Sequence, residues 1–213
     1  MLQLRVTICG DGPSDRALVE PTRWLIEETA REGAVRFEVV FADGAKATPL
    51  RSRLSSSLEL YPCDVLVVHR DAEREPAERR LREIEDARSS ARIEKPLVPV
   101  VPVRMTEAWL LFDELAIRRA ADNPNGTVDL ELPPIHKLES VPDPKELLRQ
   151  ALERASEKRG RRLKMFRAEI AARVRRVAQL IESYAPLRAV GSFARFERDL
   201  RAAIEPFLET GAR

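Results

Sequence analysis

Four short apolar runs recur in the first half of the chain, at Leu2 to Cys9, Val35 to Phe41, Cys63 to His69 and Leu97 to Val103. The third and fourth are nearly continuous and rich in valine, the pattern of strands covered on both faces, and a charged segment of helical length separates each run from the next. Such alternation is the mark of βαβ units, so the expected fold is α/β: a parallel sheet of about four strands flanked by helices. Ser14 to Glu32 sets Leu18, Trp24 and Leu25 in helical order. Pro21 cannot donate a backbone hydrogen bond inside that helix, which predicts an early kink or a late start. Pro76 to Ile93 opens on a proline suited to a first turn and offers little to bury beyond Leu81 and Ile84, which predicts a surface helix.

From Asp122 to Pro144 the pattern changes. Asn125-Gly126 is a turn signal, and Pro124, Pro133, Pro134, Pro142 and Pro144 punctuate the rest, so a linker or irregular loop is expected. Helical patterns follow at roughly 144–158, 166–183 and 192–208. In the middle one Phe166, Ile170, Val174, Val177 and Ile181 share a face, with Arg167, Arg173, Arg175 and Arg176 off it. Ser192 is the expected N-cap of the last. The chain therefore divides into an α/β core over 1–121, a proline-rich connection over 122–143, and a helical extension over 144–213 packed on the core.

A hydrophobic fraction of 44% supports one sizeable core and excludes global disorder. Cys9 and Cys63 lie in apolar runs and read as reduced core thiols, neither a zinc set nor a disulfide framework. No stretch approaches the roughly 20 apolar residues of a membrane span. Arg5 interrupts the first run before it could serve as a signal segment, so a cytoplasmic location is expected. The 37 Lys+Arg nearly cancel the 35 Asp+Glu, for a formal charge of +2. The cancellation is local in origin: Lys145 to Glu182 holds 12 basic and 5 acidic residues, +7, which leaves −5 for the rest. A basic flank of this kind suits phosphate contacts, and Arg161, Arg162, Lys164, Arg175 and Arg176 are the candidates for touching DNA or RNA. A solvated helix pair, or one that docks on an acidic protein, is the competing reading. Phe193 and Phe196 read as core anchors and Trp109 as core.

In an open parallel sheet, ligands gather outside the carboxyl ends of the strands. Three loops there carry carboxylates: Gly10-Asp11-Gly12-Pro13-Ser14-Asp15, His69-Arg70-Asp71-Ala72-Glu73 and Arg104-Met105-Thr106-Glu107. Acids gathered in one crevice repel unless a cation joins them. Mg²⁺, a hard ion held by oxygens and by substrate phosphates, is the simplest partner, with Mn²⁺ as its substitute. Asp11, Asp15, Asp71 and Glu73 are the candidate metal ligands; Asp11, Asp71, Glu73 and Glu107 are the candidate catalytic residues. The alternative is a set of ordinary loop acids and helix caps. The first loop imitates a dinucleotide-binding glycine loop, with Asp43 as a ribose ligand, but Asp15 stands where the third glycine belongs. His69-Arg70-Asp71 imitates a kinase catalytic triplet, but Pro76 stands where the metal-binding asparagine belongs.

Asp11-Gly12-x-Ser14-Asp15 after a strand, Asp71-x-Glu73 after a later strand, and Glu107-Ala108-Trp109-Leu110-Leu111 together resemble a TOPRIM (topoisomerase-primase) domain. Within that superfamily the chain is similar to small bacterial TOPRIM-like proteins often encoded beside ABC-type or AAA ATPases, and more distantly to the nuclease half of OLD-family proteins. Asp143-Pro144-Lys145 and Ser192-Phe193-x-x-Phe196 extend the resemblance into the tail. It implies a TOPRIM/Rossmann-like sheet, a Mg²⁺ or Mn²⁺ site, and a nuclease that cleaves phosphodiesters in DNA or RNA. The same resemblance implies an antiphage or toxin-like effector with an ATPase partner. Asp11 stands where TOPRIM domains usually carry Glu, and Glu73 where they carry Asp. The lysine that OLD-type nucleases place near the metals has Lys164 and Lys137 as candidates. The alternative function is a non-catalytic metal- or nucleotide-binding module that docks an ATPase or self-associates.

Overall fold

The structure, a computed structural model, describes residues 3–30, 36–43, 48–72 and 75–211. Four strands form where the apolar runs predict them: β1 (Gln3–Cys9), β2 (Arg36–Phe41), β3 (Val65–His69) and β4 (Leu97–Val100). All pair in parallel, in the order β2-β1-β3-β4. Every residue of β3 is buried, as its valine run requires of a central strand covered on both faces. The strand period of two divides its side chains: Val65 and Val67 join one apolar cluster, Leu66 and Val68 the other. From β1 the chain moves outward to β2, and from β3 it moves the opposite way to β4. Between β1 and β3 the connections diverge, and a crevice opens at their carboxyl ends.

A 3-10 turn at Pro13–Leu18 precedes α1 (Val19–Thr29), so the helix starts late and Pro21 falls in its first turn, where no partner for its missing N–H is needed. α2 (Leu50–Leu60) and α3 (Ala77–Ser90) cover one face of the sheet through Leu54, Ile84 and Ala87. α3 is the surface helix its composition predicts. α4 (Glu114–Ala120) is capped by Asp113, which accepts from Ala116 N at 2.9 Å. The proline-rich stretch contains no α-helix or strand but a 3-10 turn at Ile135–Ser140, pinned by buried Leu130 and Leu138. Asp143 then caps α5 (Pro144–Ser156) by accepting from Glu146 N at 2.9 Å.

The single helix expected over 166–183 is two, α6 (Gly160–Ala168) and α7 (Ile170–Leu180), broken at Glu169. α6 escapes a periodicity reading because Phe166 is its one fully buried side chain. The last helix, α8 (Gly191–Gly211), is not capped by Ser192. Glu139 takes that role by accepting from Ser192 N at 2.8 Å, while Ser192 Oγ accepts the Trp109 indole N–H at 3.2 Å.

The helical extension is continuous with the core: one apolar cluster runs from Leu4, Val6 and Ile8 through α1 and α4 to α5, α7 and α8. Trp109, Phe193 and Phe196 are the core residues the sequence suggests. Trp109 meets Phe193 edge-on at 5.2 Å and stacks on Phe196 at 6.0 Å. Cys9 and Cys63 are buried free thiols. Among the described residues no helix is long and apolar enough to cross a membrane.

Candidate functional site

The loop that follows β1 folds around one carboxylate. Asp15 Oδ2 accepts from Asp11 N at 2.7 Å and Gly12 N at 3.0 Å, and Oδ1 accepts from Ser14 Oγ at 3.2 Å. Gly10 permits this closure: a Cβ there would meet Asp15 Oδ2 at 2.8 Å, Asp15 Cβ at 2.9 Å and Phe41 Cε2 at 2.9 Å. Gly12 is extended, and a Cβ there would meet no described atom within 4 Å, so it carries no such demand. Gly10→Ala should therefore cost about 1–3 kcal/mol, the range for overpacking a filled site, while Gly12→Ala stays within about 0.5 kcal/mol. Urea unfolding of the two variants checks this; equal midpoints would refute it.

His69, fully buried at the end of β3, sits between two acids. Its Nδ1 lies 3.1 Å from Asp15 Oδ2, close enough for an ion pair though off the line of a good hydrogen bond. Its Nε2 lies 3.1 Å from Asp71 Oδ1 and 3.0 Å from Thr106 Oγ1. Burial favours the neutral ring, but the carboxylates of Asp15 and Asp71 on either side outweigh it and raise the His69 pKa to about 10. Burial likewise works against ionised Asp15, but His69 beside it and the Gly12 and Asp11 amides that donate to it reverse that and lower its pKa. An imidazolium thus ties the loop after β1 to the loop after β3. The β3 loop is fixed further by backbone bonds to the β4 side, Arg70 N to Val100 O at 3.0 Å and Ala72 N to Pro102 O at 3.2 Å, with Asp71 between them.

Asp11 is held by arginines. Arg53 of α2 donates to its Oδ1 at 2.5 Å, and Arg70 Nε lies 3.1 Å from its Oδ2. Glu107, in the turn after β4, is buried, and burial raises its pKa. Its own backbone amide lowers it, the charge of Asp71 raises it, Lys145 lowers it and Asp15 raises it. Asp15 and Asp71 therefore meet on His69 at the diverging strand ends, Asp11 shares the loop of Asp15, and Glu107 lies near enough to feel the charges of Asp71 and Asp15, while Glu73 lies outside the described residues.

Glu107 opens on a cavity of about 340 Å³, walled also by Pro13 and Ser14, by the start of α5 with its cap, where Lys145 and Arg149 alternate with Asp143 and Glu146, and by α7 at Ile170, Val174 and Arg175. Here the acidic strand edge meets the basic helices. Of the candidate phosphate contacts, Arg175 lines the cavity and Arg176 donates to Asp122 at 2.7 Å. Arg161, Arg162 and Lys164 are exposed along α6. Sequence reasoning passes over Lys145 as a site residue, although it stands in the quoted Asp143-Pro144-Lys145. It is the lysine that lines the Glu107 cavity and influences Glu107, whereas Lys164 on α6 and Lys137 on the 3-10 turn after Pro134 do not line it.

A Mg²⁺ or Mn²⁺ ion needs oxygens not already engaged. Those of Asp15 are taken by amides, a hydroxyl and His69, and those of Asp11 by two guanidinium groups. Asp71 keeps Oδ2 without a hydrogen-bond or ion-pair partner among the described residues, and Glu107 is a buried carboxylate pressed by its acidic neighbours. A hard cation held there would take Asp71 Oδ2 and Glu107 and fill the rest of its shell with water and substrate phosphate. Among the described residues no three His, Cys, Asp or Glu side chains form a metal-holding group. Compared with protein-family models, curated proteins and solved structures, the chain matches none of them.

Proposed function

We propose that the chain is a divalent-metal-dependent nuclease of TOPRIM type. The observation that carries this reading is buried Glu107, which feels the charge of Asp71 and opens on a cavity where Lys145, Arg149 and Arg175 stand beside Asp143 and Glu146. Asp71 and Glu107 would hold Mg²⁺ or Mn²⁺, which when bound supplies Lewis-acid stabilisation of the phosphoryl group and an activated water. The rest of the work belongs to the chain. Lys145 and Arg175, neither of which has a carboxylate within ion-pair range among the described residues, bind phosphate and balance its charge. Arg149 is already engaged by Glu146 and helps shape the wall. His69 holds Asp71 in one orientation through the 3.1 Å contact of Nε2 with Oδ1. The basic residues of α6 lengthen the phosphate track beyond the cavity.

The test is a cleavage panel of single-stranded DNA, duplex DNA and structured RNA with Mg²⁺, with Mn²⁺ or with EDTA. Cleavage with either metal and none in EDTA is the expected result, with Glu107→Gln at least about 100-fold slower, on the scale of losing one preorganised electrostatic contact. A wild type inert toward all three substrates, or equal to Glu107→Gln, would remove the catalytic reading. The closed state of Asp11 and Asp15 favours a second reading, a module that binds nucleic acid or nucleotide without cutting it, and binding without cleavage in the same panel selects it.

A further inference from the structure

α7 walls two cavities in succession. Ile170, Ala171, Val174 and Arg175 face the Glu107 cavity; Arg175, Ala178 and Gln179 face a second one of about 380 Å³. The two stretches are displaced by roughly one helical turn, ~5 Å along the axis, a distance on the scale of one nucleotide step. The far walls of the second cavity are the carboxyl end of β2 at Val39, Phe41 and Asp43, the end of α2 at Tyr61, and Arg16 and Arg23.

Its charges are mostly paired within the wall. Arg16 bonds Asp43, and Arg23 Nη1 lies 3.1 Å from Glu20 Oε2. Arg175, shared by both cavities, has no carboxylate partner among the described residues. A single guanidinium is therefore left to meet an anion at the boundary. The remaining wall mixes apolar and neutral polar surface. Val39 and Ala178 are apolar, Gln179 brings an amide with donors and an acceptor, and Tyr61 brings a ring steadied by its hydroxyl, which donates to Asp43 O at 3.0 Å. A flat aromatic heterocycle with hydrogen-bonding edges answers to such walls, and the volume is within the range of small-ligand sites.

We infer that the second cavity holds one unpaired base of a single-stranded nucleic acid, with the adjoining phosphate on Arg175 and the strand continuing into the Glu107 cavity. This rests on the nucleic-acid reading above and adds strand selectivity to it. A base inside a duplex is stacked and paired and must be extruded before it can enter such a site. Stacking on Tyr61 tolerates any base, since each has a π-face, so selection is by strandedness and not by sequence.

Fluorescence anisotropy in EDTA tests this without requiring catalysis. The probes are fluorescein-labelled single-stranded DNA, single-stranded RNA and the duplex of the same sequence. The wild type should bind a single strand at least about 10-fold more tightly than the duplex. Tyr61→Ala, which removes the ring, and Gln179→Trp, which fills the cavity from an exposed position, should each weaken single-strand binding about 10-fold, within the range seen for base–aromatic stacking, and leave duplex binding unchanged. On the wild type, a 2-aminopurine scanned through the strand should change fluorescence sharply at one position, a readout that does not depend on either variant folding. Equal affinity for duplex and single strand, wild-type affinity in both variants, or the same 2-aminopurine signal at every position overturns the inference. Binding with these signatures but no cleavage under Mg²⁺ or Mn²⁺ overturns the nuclease reading and leaves the base site standing.

Discussion

His69→Ala should lower the stability of the fold by on the order of 3–5 kcal/mol, the cost of taking one partner from a buried charge pair and leaving the other uncompensated. Asp15 is the partner left behind: it is buried, and its charge is sustained by the imidazolium as well as by two amides. Against a typical total of about 5–15 kcal/mol this is a large fraction. The dependence on pH has a definite sign. The His69 pKa is raised to about 10 in the fold against about 6.5 when unfolded. Its stabilisation is thus complete below about 6.5 and is lost as pH climbs through about 10. Asp15 acts at the other end: its pKa is lowered, so its share is present above its unfolded value and is lost as pH falls through the folded one. Urea midpoints measured in EDTA from pH 6 to 10 should fall for the wild type and stay nearly level for His69→Ala. Parallel curves would mean that the ring is neutral in the fold and that Asp15 is sustained by its amides alone.

The strands are legible in the sequence because a strand covered on both faces leaves a run such as Val65–His69, and that signal is local. The loops are legible for the same reason, since each follows directly on such a run. What the loops do with their acids is not local. Arg53 reaches Asp11 from 42 residues away, and no pattern in either segment reports it. The motif presents Asp11, Asp15 and Asp71 as equals, yet the fold engages Asp11 with two arginines and Asp15 with amides, and among the described residues leaves Asp71 an open oxygen. Ser192 shows the same limit at a helix end. A serine after a glycine is a fair capping signal, but the carboxylate that caps α8 comes from Glu139, 53 residues earlier. α6 is invisible to periodicity because its anchor is one ring, Phe166, with Lys158 at 4.9 Å and Arg173 at 5.1 Å from the ring centroid, so cations cover what an apolar neighbour would otherwise bury. The separation of +7 from −5 is readable from counting, but its meaning depends on Lys145 and Arg175 facing Glu107 across one cavity, which α5 and α7 arrange by packing on the same core.

The ranking of the acids leads to the sharpest expected effect on activity. Asp71→Asn should reduce metal-dependent cleavage by about 10²–10³-fold, the scale of deleting one preorganised electrostatic contact from a transition state, while costing no more than about 1–2 kcal/mol of stability. The two effects separate for a physical reason. The amide oxygen of asparagine can still accept from His69 Nε2, and the Asp71 side chain is 28% exposed, so the fold loses a partly solvated charge and not a buried bond. The charge is what a cation requires, and its removal also relieves Glu107, one of whose upward influences is Asp71. Asp11→Asn should do much less to cleavage, about 10-fold or under, because Arg53 and Arg70 already balance that carboxylate. Mn²⁺ binding followed by electron paramagnetic resonance separates the metal from the chemistry: affinity should fall in Asp71→Asn and hold in Asp11→Asn. The opposite order, with Asp11 indispensable and Asp71 dispensable, would mean that Arg53 and Arg70 swing away when metal binds. The cation would then sit on the first loop and not between Asp71 and Glu107.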